Sequence, residues 1–332
     1  MASGSPEHRA SADAFYHEYH GHPPRLLRFL VDRFAAVDAA AGVAPSQRVT
    51  VYLAGDSSLD NKYWLLGGRA EPAVNGYELA LAPPAAIPDI AHQLNRLLAA
   101  DNAAAPVGAP RFRCVNTAVE ESTLGVRVGA LGGLLPQDRH LRDSIAPQDV
   151  LVVSVGGNDI ALAPSCGTAC AMGWLTCCAC TANVRDGTAW GLGHFRAMFR
   201  DDLERYICDA TARVRPKLVV PTMLYYLDED ASAESWANCV LRCIGYNRNP
   251  SHVQAVIDRT YLDGVAKVCV PGSVVAPLAL SAALDGRDTR DYVARVEPSA
   301  AGGAKIAALL RRHIAAHYPR DAVLPPTGGS VC

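Results

Sequence analysis

The sequence predicts an α/β domain built on a parallel sheet with helices on both faces. Three observations predict it. Short apolar runs alternate with segments of helical periodicity along the chain. Two of those runs end in loops carrying chemistry-bearing residues, Gly55-Asp56-Ser57 and Gly156-Gly157-Asn158-Asp159, at the edge where an open parallel sheet binds ligands. Half of the 332 residues are hydrophobic, enough for a sizeable core.

The elements follow in order. Residues 1–24 are polar and rich in histidine (His8, His17, His20, His22) and read as a loosely docked arm. Residues 26–41 form a helix whose apolar stripe is Leu26, Leu27, Phe29, Leu30, Phe34 and Val37. A strand at 48–54 delivers Ser57. A helix at 87–100 follows, with Ile90, Leu94, Leu97 and Leu98 on one face. Strands at 111–116 and 149–155 deliver Asn116 and Asn158. A long helix at 193–213 leads to a strand at 217–226, then a helix at 250–264, a last strand near 272–278 and a closing helix at 300–316. The expected organisation is an arm at 1–24, one domain at 25–320 with a cysteine-rich insert at about 160–190, and a tail at 321–332.

Charge excludes some partners. The 31 Lys and Arg balance 33 Asp and Glu, and no basic stripe is present, so a nucleic-acid partner is not expected. The first residues, Met1 to His8, lack an apolar core and a cleavage signature, so a secretory leader is not expected and the expected compartment is the cytosol. Eleven cysteines in irregular spacing argue against a disulfide framework. Ile160 to Val184 carries no charge, but its Pro164, Gly167 and Gly173 make a poor spanning helix.

A serine in a tight turn at one strand end and an asparagine amide at another supply a nucleophile and an oxyanion donor. Gly55 permits the turn and Asp56 can brace it through backbone N–H groups. Asn158 offers its side-chain NH₂, a donor worth about 2.7–4 kcal/mol to a developing oxyanion. Gly157 lets the backbone approach a ligand, and Asp159 anchors the loop.

These blocks resemble the first and third signature blocks of the SGNH (GDSL-type) esterase and lipase family. The resemblance spans roughly residues 48–312 and implies a three-layer α/β/α sandwich with a flavodoxin-like parallel sheet, acting on an ester or acyl substrate without a cofactor or metal. The family's last block, Asp-x-x-His-Pro-Ser, aligns with Ala294-Arg295-Val296-Glu297-Pro298-Ser299, which places Glu297 at the histidine and Ala294 at the aspartate. The second block aligns with Asn116-Thr117-Ala118-Val119-Glu120-Glu121, which puts Glu121 where a glycine N–H helps form the oxyanion hole. Ser57 and Asn158 match the family; the base does not.

Glu is a poor base for a serine hydroxyl at its reference pKa of about 4.3, and burial raises that value toward neutrality. A Ser–Glu pair resembles the sedolisin-type Ser-Glu-Asp peptidases. His194, at the start of a helix whose leading loop leaves the same sheet edge, is the alternative base. Asp56, Asn116, Trp236 and Tyr246 are the further candidates for lining a substrate pocket.

Cys166, Cys170, Cys177, Cys178 and Cys180 crowd one short stretch. Three readings stand open: a structural zinc site, S-acylation at a membrane surface, and an apolar lid packed by buried thiols. Two functions also stand open: a hydrolase or acyl transferase with an altered triad, and a ligand-binding protein that kept the pocket and lost the base.

Overall fold

The computed structural model describes residues 9–318. Its central sheet has strands β1 (Arg48–Gly55), β2 (Arg111–Asn116), β3 (Val150–Ser154), β4 (Leu218–Met223), β5 (Val274–Val275) and β6 (Leu278–Ala279). The main helices are α1 (Pro24–Ala40), α2 (Ile90–Ala104), α3 (Pro136–Ser144), α4 (Cys166–Cys177), α5 (Leu192–Arg196), α6 (Leu203–Ala210), α7 (Asn238–Cys243), α8 (Pro250–Asp263) and α9 (Ala300–His317).

All central pairings are parallel, in the order β2-β1-β3-β4, with β5 and β6 both on the outer edge of β4. This is the flavodoxin-like order, and it reverses direction between β1 and β3. Loops leaving the carboxyl ends of those two strands diverge and open a crevice between them. Ser57 follows β1 and Asn158 follows β3, so both predicted motifs sit at the switch point.

The side chains of each strand alternate between two cores. Val49, Val51 and Leu53 of β1 pack with Val150 and Val152 of β3 against α2 and α9, through Ile90, Leu94, Ile306 and Leu310. Tyr52 and Ala54 face the opposite layer with Leu151 and Val153, against Leu27, Leu30, Leu141, Tyr206 and Ile207. The result is a three-layer α/β/α sandwich.

Local chemistry sets the boundaries. Asp89 caps α2, its Oδ1 accepting from the His92 N–H at 2.7 Å, so the helix starts after Pro88 rather than at 87. Ser299 caps α9 through the Gly302 N–H at 3.1 Å. The expected 193–213 helix is α5 and α6 joined by a π-helical stretch, Ala197–Asp202. The strand expected to reach 226 ends at Met223, because Leu224 and Tyr225 turn off to line a cavity. The last strand is split at Pro277, which has no N–H for the ladder.

The N-terminal arm is not loosely docked. Ala10–Ser11 pairs in parallel with Leu81–Ala82, and Phe15 stacks on His22 with ring centroids 3.8 Å apart. Both rings are about 1% exposed, because Phe15, Tyr16 and His22 close one end of the core. Residues 1–8 of that arm, and the 321–332 tail, lie outside the described residues.

The cysteine segment departs from its expected packing. The thiols of Cys166, Cys170, Cys177, Cys178 and Cys180 are exposed rather than buried. Among the described residues no group of three or more His, Cys, Asp or Glu is arranged to hold a metal ion. No described helix is long and apolar enough to cross a membrane. Cys269 is disulfide-bonded, in contrast to nine free cysteines elsewhere among the described residues.

Candidate active site

The nucleophile turn is built from its glycine outward. Gly55 has φ +126°, and a Cβ there would lie 1.7 Å from the Ser154 carbonyl oxygen, so no other residue fits. Asp56 then folds back over the turn. Its Oδ1 accepts from the Ser58 N–H at 3.0 Å and the Ser58 hydroxyl at 2.6 Å, and its Oδ2 accepts from the Gly156 N–H at 3.2 Å. One carboxylate thus braces the Ser57 turn and ties it to the Asn158 loop. Burial raises Asp56 to about 6, against the Ser58 hydrogen bonds, which pull it down.

The Asn158 loop is equally constrained. Gly156 has φ +114°, and a Cβ there would stand 2.8 Å from the Phe199 ring. Asp159 anchors the loop, its carboxylate accepting from the N–H groups of Leu124 (2.7 Å) and Gly125 (2.8 Å). The Asn158 amide donates one hydrogen to the Ser122 carbonyl at 3.1 Å, which leaves a second N–H. Glu121 has φ +59°, the left-handed backbone that suits glycine, at the position where the resemblance would put one. Among the described residues the backbone N–H groups of Ser57 and Glu121 have no acceptor.

Glu297 comes from the far end of the chain. Residues Tyr292–Val293 and Glu297–Pro298 form a short antiparallel hairpin whose turn holds Ala294 at φ +48° and Arg295 at φ +66°. Two non-glycine residues in that region are strained, and Arg295 offsets the strain. Its buried guanidinium donates to Asn238 Oδ1 at 2.7 Å, Asn247 Oδ1 at 3.0 Å and the Asp228 carbonyl at 3.0 Å. The hairpin delivers Glu297, 4% exposed, to the cavity that Ser57 also lines. Burial holds its carboxyl well above the usual carboxylate range, helped by the Asp56 and Glu121 charges and opposed by the Ser57 hydroxyl.

Glu120 is a second buried carboxyl, one residue before Glu121. It is buried, its Oε1 accepting from the Trp64 indole N–H at 3.0 Å. Burial, then the Glu297 and Asp60 charges, raise it far above the usual range. The neighbouring Asp60 is itself fully buried with Lys62, 2.8 Å away.

Ser57, Gly157, Asn158 and Glu297 open onto one cavity of about 140 Å³. Its walls are apolar: Ile160 and Met172 on the insert, Phe195 and Phe199, Leu224 and Tyr225, then α7 and α8. Trp236 lines it, and so does Asp56. Three other candidates do not. Tyr246 is buried in a separate cluster, its hydroxyl donating to the Leu227 carbonyl at 2.5 Å. The Asn116 amide is occupied by the Leu59 carbonyl (3.0 Å) and the Ala118 N–H (3.0 Å). His194 faces a different hollow beside Asp159, its Nε2 2.9 Å from the Thr168 hydroxyl.

Sequence reasoning passed over the wall formed by α7 and α8. The signal was present: Val240, Leu241 and Ile244, then Val253, Val256, Ile257 and Thr260, recur at helical spacing on one face of each helix. Tyr225, whose hydroxyl donates to the Val296 carbonyl at 2.7 Å, was missed because it read as the end of a strand.

No protein-family model and no curated protein matches the chain. Among solved structures it is similar to a family 3 carbohydrate esterase of Clostridium thermocellum, at 13% identity over 81% of this chain and 96% of that one, TM-score 0.37. It is similar to a carbohydrate acetylesterase of Sinorhizobium meliloti, at 12% identity over 81% and 99%, TM-score 0.39. It is also similar to the aryl esterase of M. smegmatis, at 14% identity over 81% and 100%, TM-score 0.38. Likeness at that level carries no argument about activity.

Proposed function

We propose that this chain is a serine ester hydrolase or acyl transferase of SGNH type in which Glu297 replaces the histidine base. One observation carries the reading: Ser57 and Glu297, both buried, line the same otherwise apolar cavity. A nucleophile held against a base of raised pKa is the arrangement that acyl transfer needs.

The steps follow from the geometry. Ser57 Oγ attacks the acyl carbon and its proton passes to Glu297. The carbonyl oxygen takes up charge beside the N–H groups of Ser57 and Glu121 and the second amide hydrogen of Asn158. Glu297 returns the proton to the leaving oxygen as the ester C–O bond breaks. A water molecule or an acceptor alcohol then repeats the cycle, giving its proton to Glu297 and releasing the acyl group from Ser57.

The cavity supports a small apolar acyl group as substrate. Its volume of about 140 Å³ is close to that of an apolar cavity that takes benzene. The reading is tested by fluorophosphonate labelling. Wild type should react, Ser57→Ala should not, and Glu297→Gln should slow labelling on the order of 10²–10⁴-fold, the usual share of a general base. Equal labelling of wild type and Glu297→Gln would remove Glu297 from the mechanism. No labelling of wild type would favour a ligand-binding protein that lost hydrolysis.

A further inference from the structure

Of the three N–H groups proposed for the oxyanion, two depend on the loop after β2, and one buried side chain ties that loop to the nucleophile turn. Arg127 lies on a short helix, Leu124–Val128, directly after the loop. It is 3% exposed, and its ion-pair partner, Asp138 of α3, is fully buried. Its guanidinium is a planar fork of N–H donors. Nη2 donates to the Gly55 carbonyl at 3.0 Å. Nη1 donates to the Ser122 hydroxyl at 2.9 Å and to the Thr123 carbonyl at 3.0 Å. Nε donates to Asp138 Oδ2 at 2.9 Å. Asp138 is fixed in turn, accepting from the Tyr206 hydroxyl at 2.6 Å and the Leu135 N–H at 2.9 Å.

Two of these acceptors decide what the fork does. The Gly55 carbonyl opens the nucleophile turn, directly before Asp56 and Ser57. It also accepts from the Ser122 hydroxyl and the Val119 N–H, both at 3.0 Å. Ser122 directly follows Glu121, and its carbonyl is the acceptor that orients the Asn158 amide, at 3.1 Å. Arg127, Ser122 and Gly55 therefore close a triangle of hydrogen bonds. One corner carries the turn of the Ser57 N–H. Another adjoins the Glu121 N–H and holds the Asn158 amide. A buried ion pair adds little stability over apolar packing of the same volume, so the fork contributes geometry rather than binding energy.

We propose that Arg127 is the positioning residue of the oxyanion site, setting the separation of the Ser57 N–H from the Glu121 N–H and the Asn158 amide. This rests on the reading of those three groups as the oxyanion donors. Arg127 does not line the Ser57 cavity, and it exchanges no proton in the reaction.

Two variants test it. Arg127→Lys keeps the charge beside Asp138 and loses the fork. Ser122→Ala opens the triangle at another corner and keeps the carbonyl that Asn158 needs, so the outcome does not hang on Arg127→Lys folding. The first measurement needs no activity. In ¹⁵N NMR of the folded protein, the Ser57 and Glu121 amides and the Asn158 side-chain NH₂ should shift together in either variant. Signals that stay in place in both would overturn the proposal. The second measurement uses a p-nitrophenyl ester and a boronic acid, which becomes tetrahedral on a serine hydroxyl and fills an oxyanion site. Arg127→Lys should lower kcat on the order of 10²-fold, the scale of a misplaced catalytic group, with KM unchanged. Boronic acid affinity should fall by a similar factor. In an Asn158→Ala background the same substitution should cost less, because one of the donors it positions is already gone. A raised KM with kcat unchanged, or the full loss kept in the Asn158→Ala background, would make Arg127 merely structural. A wild type that turns over no ester and binds no boronic acid would sink the hydrolase reading, and the amide shifts would still decide whether Arg127 sets the three groups.

Discussion

The Asn61 side chain bridges Ile90 and Pro298: its amide donates to the Pro298 carbonyl at 2.9 Å and its Oδ1 accepts from the Ile90 N–H at 3.0 Å. Asn61 lies four residues after Ser57, and Pro298 directly follows Glu297. One buried amide therefore fixes the distance between Ser57 and Glu297, two groups that the chain brings together from opposite ends. Asn61→Ala leaves two buried backbone groups unpaired, at about 1–3 kcal/mol each. The expected result is a lower Tm together with a fall in fluorophosphonate labelling that persists well below the new Tm. Unchanged labelling in folded Asn61→Ala would show that the hairpin holds its register without the bridge.

Two buried carboxyls should make stability fall as pH rises from about 4 to about 7. Burial raises Asp89 and Asp149 to about 7 each. A carboxyl whose folded pKa lies above its unfolded value contributes stability that is complete below the unfolded pKa and lost as pH rises through the folded one. The buried His22 and His140, both lowered by burial, oppose this trend below about pH 6.5, where the unfolded chain takes up their protons. Asp89 is the cleanest site, because its Oδ1 caps α2 while its Oδ2 is buried without a partner. Asp89→Asn keeps the cap and should flatten the slope between about pH 4 and 7 by one proton, about 1.4 kcal/mol per pH unit. Urea denaturation at a series of pH values measures it; an identical slope in both proteins would refute the assignment.

The first described segment should be part of the folding unit. Phe15 is buried against Tyr16, His22 and Tyr77. Phe15→Ala should cost about 3–5 kcal/mol, the usual range for a buried aromatic. A change in Tm within error would mean that this end of the core closes without it.

These residues also mark how far the sequence could be read. β1, β3, α8 and α9 were legible because burial on both faces, or an apolar stripe with a capping Ser299, leaves a local pattern. That Ser57, Asn158 and Glu297 would lie round one cavity was legible because each lies in a recognisable block. Phe15 was not, because its polar neighbours hide a ring whose partners are distant in sequence. Glu120 could be seen as a carboxylate near the mouth, but its hydrogen bond to Trp64 depends on a residue that only the fold brings near. His194 lies away from the Ser57 cavity for the mirror-image reason: its loop leaves the right edge, yet Thr168 holds its ring over another hollow.

The cysteine segment should label at the surface. Its five thiols are exposed beside the exposed Trp174 and Trp190, which pack edge to face at 5.5 Å. A thiol reagent should modify Cys166, Cys170, Cys177, Cys178 and Cys180 in the folded protein without lowering Tm. We further propose that this uncharged face is a site of S-acylation that brings the chain to a membrane surface. Changing Cys177, Cys178 and Cys180 to Ser should then reduce hydroxylamine-sensitive acylation in cells. A chain that carries no thioester lipid would end that reading.

Acyl-chain preference should follow the cavity. Walls of Met172, Phe199, Val240, Leu241, Val253 and Val256 offer dispersion and burial but few hydrogen bonds. Each methylene an acyl chain places there should contribute about 0.8 kcal/mol until the space is filled. Across p-nitrophenyl esters, kcat/KM should therefore rise from acetyl, peak near a six-carbon or aryl acyl group, and fall for long chains. Val256→Phe fills the wall, and overpacking of this kind costs about 1–3 kcal/mol. It should flatten the rise and leave the acetyl ester nearly unaffected, since the shortest chain stays beside Ser57. Glu297→Gln should instead lower every ester by a similar factor, because it acts on the proton and not on the chain. A Val256→Phe variant with an unchanged chain-length profile would show that the acyl group does not enter this cavity.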